Sequence, residues 1–271
     1  MNKDSFMYDS HIHTEFSPDG KMTVGEAAER AAACGLSYIA ITDHADFIVD
    51  RFGRKWDIEN AGFYKKAIDD AGKKYTGLFI ARGIEFGYAP EFMPLIKERV
   101  AQVEPDFIIG SAHIINGSDP YYPEHFADKD KESAYREYLI YLQNLAIDMK
   151  GLCDVLGHFD YIARYAPYDD ARLDYESFPE LVDHALDALI TSGIGIEVNT
   201  SGYRKSGRPM PAESILTRYR QRGGEIITIG SDAHEAQHIA YGIKDAAQLL
   251  LSCGFRYQTI FRQRCPEFVK L

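Results

Sequence analysis

Nine imidazole and carboxylate side chains stand just after runs that read as β-strands: His11, His13, Asp19, His44, Glu85, His113, His158, Asp232 and His234. Two groups are compact. Asp9-Ser10-His11-Ile12-His13 closes the first apolar run, and Gly230-Ser231-Asp232-Ala233-His234 closes a late one. Residues two apart in a strand point to the same side, so each pair can reach one metal together or feed neighbouring metals. The donors are nitrogen and oxygen with no sulfur, a set suited to Zn²⁺, Mn²⁺ or Fe²⁺ and not to an Fe–S centre. Nine donors exceed the needs of one ion, so two or three divalent ions sharing a bridging carboxylate are expected, with Glu85 as the natural bridge. Such a cluster lowers the pKa of a bridging water from ~15.7 toward neutrality and supplies a hydroxide nucleophile. It also neutralises phosphate oxygens while a leaving alkoxide forms. Hydrolysis of a phosphate ester uses both properties.

The elements that must position these donors alternate between short apolar runs and helical patterns, as in a parallel sheet wrapped by helices. Strands are expected at 8–11, 38–42, 78–84, 107–110, 155–158, 195–198 and 225–229, with a further one at 255–261. Thr23 and Glu26 have capping-box spacing ahead of an alanine-rich helix that Gly35 ends. Further helices are expected at 57–75, 94–103, 131–150, 178–191, 212–222 and 239–252. This amounts to about seven βα units in one barrel domain spanning 1–271. The loops at 45–56, 86–93, 114–130 and 159–176 exceed the usual connection of about 4–6 residues. All four follow strands that end in candidate ligands. In a barrel the loops after the strands build the active face, so one functional mouth is expected.

Some residues invite a plainer account. Asp19 sits in Ser17-Pro18-Asp19-Gly20, which could be an ordinary turn. Asp43 is expected to orient a ligand rather than act as one. His125, His184 and His238 fall in a loop, mid-helix and at a helix start, outside the pattern.

Hydrophobic residues make up 45% of the chain and charged ones 26%, as in a globular enzyme. The net charge of −11 argues against a nucleic-acid-binding surface. It does not exclude an anionic substrate, because bound cations reverse the local field. Cys34, Cys153, Cys253 and Cys265 form no C-x-x-C pair and read as free thiols in a reducing compartment. Residues 1–7 carry no apolar leader, and no stretch approaches the ~18–20 apolar residues of a membrane span. A cytoplasmic protein with no membrane partner is expected, and no feature specifies an oligomeric state.

Six segments together resemble the PHP phosphoesterases, named for polymerase and histidinol phosphatase. They are Asp9–Thr14, Ile41–His44, Gly83–Glu85, Gly110–His113, Gly157–Asp160 and Gly230–His234. The resemblance covers almost the whole chain and implies a distorted (β/α)₇ barrel of the PHP type. Chain length and the segment Leu156–Tyr165 look like the stand-alone histidinol-phosphate phosphatases, which implies hydrolysis of L-histidinol phosphate in histidine biosynthesis. It also implies that His11, His13, Glu85 and Asp232 hold one metal, Glu85, His113 and His158 a second, and Asp19, His44 and His234 a third. Some family members carry His where this chain has Asp19. The catalytic set is then Glu85, Asp232 and His234 around the hydroxide.

Arg164, Ser201 and Arg204 follow ligand-bearing or mouth-side strand ends and are candidate phosphate binders, since Arg suits bidentate anion contact and Ser a single donor. The substrate's amine and imidazole call for acidic or aromatic partners, for which Asp46, Asp160, Tyr121 and Tyr122 are available. The alternatives are a PHP enzyme for another ester (a nucleotide, sugar phosphate or phosphotyrosine) and a non-catalytic metal-binding PHP module.

Overall fold

The computed structural model describes residues 7–271. In chain order the elements are β1 (Met7–Ile12), α1 (Val24–Ala33), β2 (Leu36–Ile41), β3 (Ile48–Val49), β4 (Lys55–Trp56), α2 (Ala61–Lys74) and β5 (Phe79–Gly87). There follow α3 (Met93–Val103), β6 (Phe107–Ser111), α4 (Lys131–Asp148), β7 (Val155–Leu156), α5 (Pro179–Ser192), β8 (Gly195–Asn199) and α6 (Ser201–Ser206). The chain ends with α7 (Glu213–Gln221), β9 (Ile227–Gly230), α8 (Ile243–Ser252), β10 (Tyr257–Arg262) and β11 (Cys265–Lys270).

Seven parallel strands run in the order β1-β2-β5-β6-β7-β8-β9. The ring is drawn together beyond the last strand by His13 N donating to Ala233 O at 2.9 Å and Asp232 N donating to His11 O at 2.9 Å. Alternation along each strand sorts the core into two populations. Ile39, Ile41, Ile84 and Ile108 pack outward against the helices. Tyr38, Ala40, Ala81, Phe107, Ile109 and Val155 face inward and meet Ile260 and Phe261. These inner residues fill the N-terminal half of the barrel, and the other end is left for polar side chains.

The antiparallel hairpin β10–β11 plugs the bottom. Tyr38 donates its hydroxyl to Phe261 O at 3.0 Å, and the Phe107 and Phe261 rings stack at 5.1 Å. The sequence suggested β10 but not its partner β11, whose side chains are mostly exposed and so show no apolar alternation.

Elsewhere the expected elements are present with shifted ends. The capping box at Thr23 and Glu26 forms in both directions. Helix α2 starts at Ala61, capped by Asn60, instead of at Asp57. The strand expected to reach His158 stops at Leu156, because His158 takes a left-handed φ of 22°. Helix α8 starts at Ile243, since a 3₁₀ turn at Ala236–His238 and positive φ at Ala240 and Gly242 intervene. The loop at 45–56 contains its own small hairpin, β3–β4. Among the described residues no helix is long and apolar enough to cross a membrane.

Candidate metal centre

The nine donors converge at the C-terminal end of the barrel, each carried by the turn after its strand except His11, within β1, and Glu85, within β5. The strands approach closely enough that Gly230 and Gly157, beside the donors, leave no room for a side chain. A Cβ on Gly230 would lie 2.3 Å from His11 Cβ and 2.4 Å from Glu197 Oε1, and one on Gly157 would lie 2.6 Å from Ser111 Oγ. His158 and Asp232 have positive φ of 22° and 52°, a strained arrangement for side-chain-bearing residues that functional sites retain.

Glu85 sits at the centre with 1% exposure. Its Oε2 lies 3.3 Å from His11 Nε2, 3.4 Å from His13 Nε2 and 3.2 Å from His44 Nδ1. Its Oε1 lies 3.3 Å from His113 Nε2 and 3.0 Å from His158 Nε2, and accepts from Ser111 Oγ at 2.6 Å. One oxygen therefore faces each of two imidazole groups. Asp232 Oδ1 completes the first group, 3.4 Å from His13 Nε2 and 3.9 Å from His11 Nε2. Asp19, in its turn, does reach the site: Oδ2 is 3.0 Å from His234 Nε2 and Oδ1 is 4.0 Å from His44 Nε2. The His13 ring stacks on those of His44 and His234, each centroid 4.2 Å away.

The outer nitrogens decide what the inner ones can do. His11 Nδ1 lies 2.6 Å from Glu197 Oε1, His113 Nδ1 2.9 Å from Asp46 Oδ2, and His234 Nδ1 3.1 Å from Asp232 O. His13 Nδ1 lies 3.2 Å from Ser17 Oγ, which itself donates to Asp43 Oδ1 at 2.6 Å. Each acceptor holds a proton on Nδ1 and leaves the Nε2 lone pair pointing inward, the tautomer a metal ligand needs. Asp43 thus orients His13 through Ser17, and it also takes Thr14 N at 2.6 Å.

Inward lone pairs this close repel one another unless a cation lies between them. His11 Nε2 and His13 Nε2 are 3.0 Å apart. Donors about 2.1 Å from a tetrahedral ion would be about 3.4 Å apart, close to the spacings around His11, His13, Glu85 and Asp232. His13–His44–His234, His11–His13–Glu85 and His44–Glu85–His113 each bring their donor atoms within 4.8 Å of one another. Buried His44 Nδ1, His158 Nδ1 and Asp19 Oδ1 have no hydrogen-bond partner among the described residues. The donor set fits divalent metal ions.

The ionisation balances reflect the same crowding of acids and imidazoles. Burial opposes ionisation of Glu85, but the imidazoles of His11, His113 and His44 outweigh it and hold the carboxyl well below its usual range. Asp232 is lowered in the same way against burial, by His13, His11, His234 and Arg164. Burial and neighbouring His13 push His44 down to about 4, so it is neutral and able to ligate at neutral pH. Burial would lower His234 too, yet Asp19 and Asp232 raise it to about 8.

A cleft of about 260 Å³ opens over the donors, walled by Trp56, Tyr121, Tyr122, Tyr161, Tyr165 and Arg164 among others. Arg164 NH1 reaches Asp232 Oδ2 at 3.4 Å, and its buried Nε has no partner among the described residues. Ser201 and Arg204 are placed differently from the expectation of free anion donors. Ser201 is 1% exposed, and its hydroxyl lies 2.6 Å from Asn199 Oδ1 and 3.1 Å from Asp232 Oδ2. Arg204 donates to Ser231 O at 3.1 Å and Asp232 O at 3.2 Å. Both brace Asp232 from behind, and neither is on the cleft wall.

Of the suggested amine partners, Asp46 lies on the cleft wall with its carboxylate occupied, and Asp160 lies elsewhere. Asp46 is engaged by His113 and by Gly87 N at 2.6 Å. Asp160 lines a separate cavity beside Arg208. Glu197 is the functional residue that sequence reading missed. It is fully buried on β8 and serves His11 Nδ1, His158 N at 3.0 Å and Asn199 Nδ2 at 3.1 Å. A carboxylate inside the apolar run Gly195–Asn199 was the available signal, because a buried charge must be paired.

The PHP domain family matches residues 9–201. The chain belongs to the PHP family. The match stops before β9, yet the barrel carries the PHP site onward to Asp232 and His234. A protein of Clostridium acetobutylicum, "Probable histidinol-phosphatase", is 30% identical over 263 residues, covering 97% of this chain and 99% of its own. The histidinol-phosphatase of Lactococcus lactis subsp. lactis is 28% identical over 254 residues, covering 93% of each. Among solved structures, a histidinol phosphate phosphatase from Lactococcus lactis subsp. lactis, complexed with zinc, L-histidinol and phosphate, superposes with a TM-score of 0.87 at 27% identity, covering 96% of this chain and 98% of that one.

Proposed function

We propose that this PHP chain is a metal-dependent phosphomonoesterase that hydrolyses L-histidinol phosphate to L-histidinol and phosphate. The observation that carries it is Glu85, with one oxygen toward His11, His13 and His44 and the other toward His113 and His158, in a barrel that superposes on a histidinol phosphate phosphatase. In this reading residues 1–271 act as one barrel unit. His11, His13, Glu85 and Asp232 hold one ion, Glu85, His113 and His158 a second, and Asp19, His44 and His234 a third. When bound, divalent ions supply Lewis-acid charge to the phosphoryl oxygens and acidify a coordinated water.

The chain's own residues do the rest. Arg164 offers its unpartnered Nε and one amino group to the phosphate, and Arg204 behind Asp232 adds positive charge to the same corner. Ser201 holds the Asp232 carboxylate and Arg204 its backbone carbonyl. Glu197, Asp46 and Ser17 keep three imidazoles in the ligating tautomer. The tyrosines of the cleft limit water around the organic part of the ester. A small phosphate monoester is the substrate class, in keeping with an enclosed cleft and an acidic chain rather than a nucleic-acid surface. Four unpaired cysteines fit a cytoplasmic setting.

The test is phosphate release from histidinol phosphate against a panel of nucleotide, sugar and aryl monoesters, after reconstitution with Mn²⁺ or Zn²⁺. An ester turned over ten-fold more efficiently than histidinol phosphate would overturn the substrate assignment.

A further inference from the structure

Five aspartates line the cleft: Asp19, Asp46, Asp50, Asp119 and Asp232. Four are committed. Asp19 faces His234, and Asp232 faces His13, Ser201 and Arg164. Asp46 holds His113 and Gly87 N. Asp50 accepts from Phe52 N, Arg54 N, Arg54 Nε and Trp56 Nε1. Asp119 differs. Its Oδ1 accepts from Tyr121 N at 2.8 Å, and its Oδ2 has no partner among the described residues. Arg51 lies over the Tyr122 ring at 3.5 Å and 3.6 Å from Glu124, and makes no ion pair with Asp119 among the described residues. Burial pushes the Asp119 carboxyl up, and the charges of His113 and Arg51 only partly offset it.

The wall beside Asp119 is a continuous aromatic ladder running outward from the metal-facing imidazoles. Ring centroids are 4.8 Å apart for His158–Tyr161, 5.4 Å for Tyr161–Tyr165, 5.3 Å for Tyr165–Tyr121 and 5.0 Å for Tyr121–Tyr122. The cleft is therefore dipolar, with Arg164 on the Asp232 side and a free carboxylate beside the tyrosines. That arrangement suits a phosphate ester whose alcohol carries a positive charge and a flat ring.

We infer that Asp119 receives the substrate's ammonium group and makes the enzyme selective for phosphate monoesters of amino alcohols. The inference deepens the histidinol-phosphate reading, on which it rests for the identity of the ring. Asp119 is a specificity residue, since a charge-assisted hydrogen bond to a desolvated carboxylate favours the amine-bearing ester over its amine-free isostere.

The experiment compares kcat/KM for histidinol phosphate with that for 3-(imidazol-4-yl)propyl phosphate, which lacks the amine. It adds O-phosphoethanolamine against ethyl phosphate as a second pair, on metal-loaded protein. The wild type is expected to favour the amine-bearing member about 10–100-fold, mainly through KM. Asp119→Asn is expected to collapse that ratio toward one. Asp119→Glu, which keeps the charge one methylene further out, is expected to retain part of it.

Equal efficiency on both members of each pair in the wild type overturns the inference without any variant. A ratio unchanged in Asp119→Asn overturns it as well. If the wild type ignores histidinol phosphate but favours phosphoethanolamine, and Asp119→Asn removes that preference, the role of Asp119 stands and the histidinol assignment falls.

Discussion

Replacing Glu197 by Gln changes one atom type in a fully buried side chain that touches no substrate. Its Oε1 accepts from His11 Nδ1 at 2.6 Å, and its Oε2 accepts from His158 N at 3.0 Å and Asn199 Nδ2 at 3.1 Å. An amide has one acceptor and one donor end, so neither orientation serves all three. With the amide NH₂ toward His158, it meets two N–H groups and leaves buried donors unsatisfied, at about 1–3 kcal/mol each. With the NH₂ toward His11, Nδ1 must become the acceptor, the proton moves to Nε2, and His11 can no longer ligate. Partners of this kind are worth roughly 10–100-fold in metal affinity. Titrating chelated Glu197→Gln protein with Zn²⁺ in competition with a chromophoric chelator should show affinity weakened by that factor. Activity should recover substantially at saturating metal. A variant that binds the same number of ions as tightly as the wild type would refute the tautomer reasoning.

Three further outcomes follow from the same geometry. Arg164→Ala should lower kcat/KM by roughly 10–100-fold, the worth of a hydrogen bond to a charged group, and should weaken product inhibition by phosphate; an unchanged phosphate inhibition constant would remove Arg164 from the anion site. In chelated protein the raised pKa of His234, about 8 against an ordinary 6.5, contributes stability that is fully present below pH 6.5 and lost as pH rises through 8. That is no more than about 2 kcal/mol, worth up to about 3–4 °C in Tm. His11 and His113 are raised too, so a His234→Asn variant should show a smaller fall in Tm between about pH 6.5 and 9 than the wild type, by up to that amount. Phe261→Ala, at the plug, should cost about 3–5 kcal/mol in urea unfolding while leaving metal stoichiometry intact; loss of metal in the folded variant would show that the plug also shapes the site.

Much of this protein is legible from local pattern. A strand presents alternate residues to one side and a βα unit turns at the strand's C-terminal end, so His-x-His, Asp-x-His and single donors after apolar runs specify both the barrel and the end at which the site forms. The nine candidate donors meet there, including Asp19 from its turn. The helix starts were legible only where a cap is local, as at Thr23 and Glu26. The exposed β11 carries no periodicity to read, and β7 stops at Leu156 ahead of a Gly157 packed against Ser111 and a left-handed His158 whose N–H donates to Glu197.

Residue identity by itself determined the donor set, and through it the reaction class, because nitrogen and oxygen ligands at successive strand ends have few other uses. Tertiary structure decided which atoms meet. It divided Glu85 between two imidazole groups, set Ser201 and Arg204 against Asp232, and sent Asp160 to another cavity. It also brought in Glu197 and Asp119, whose sequence neighbours say little about them. The physical reason is range. Side-chain direction along a strand is set within two residues, whereas hydrogen-bond partners such as His11 and Glu197, 186 positions apart, exist only after the ring of strands has closed.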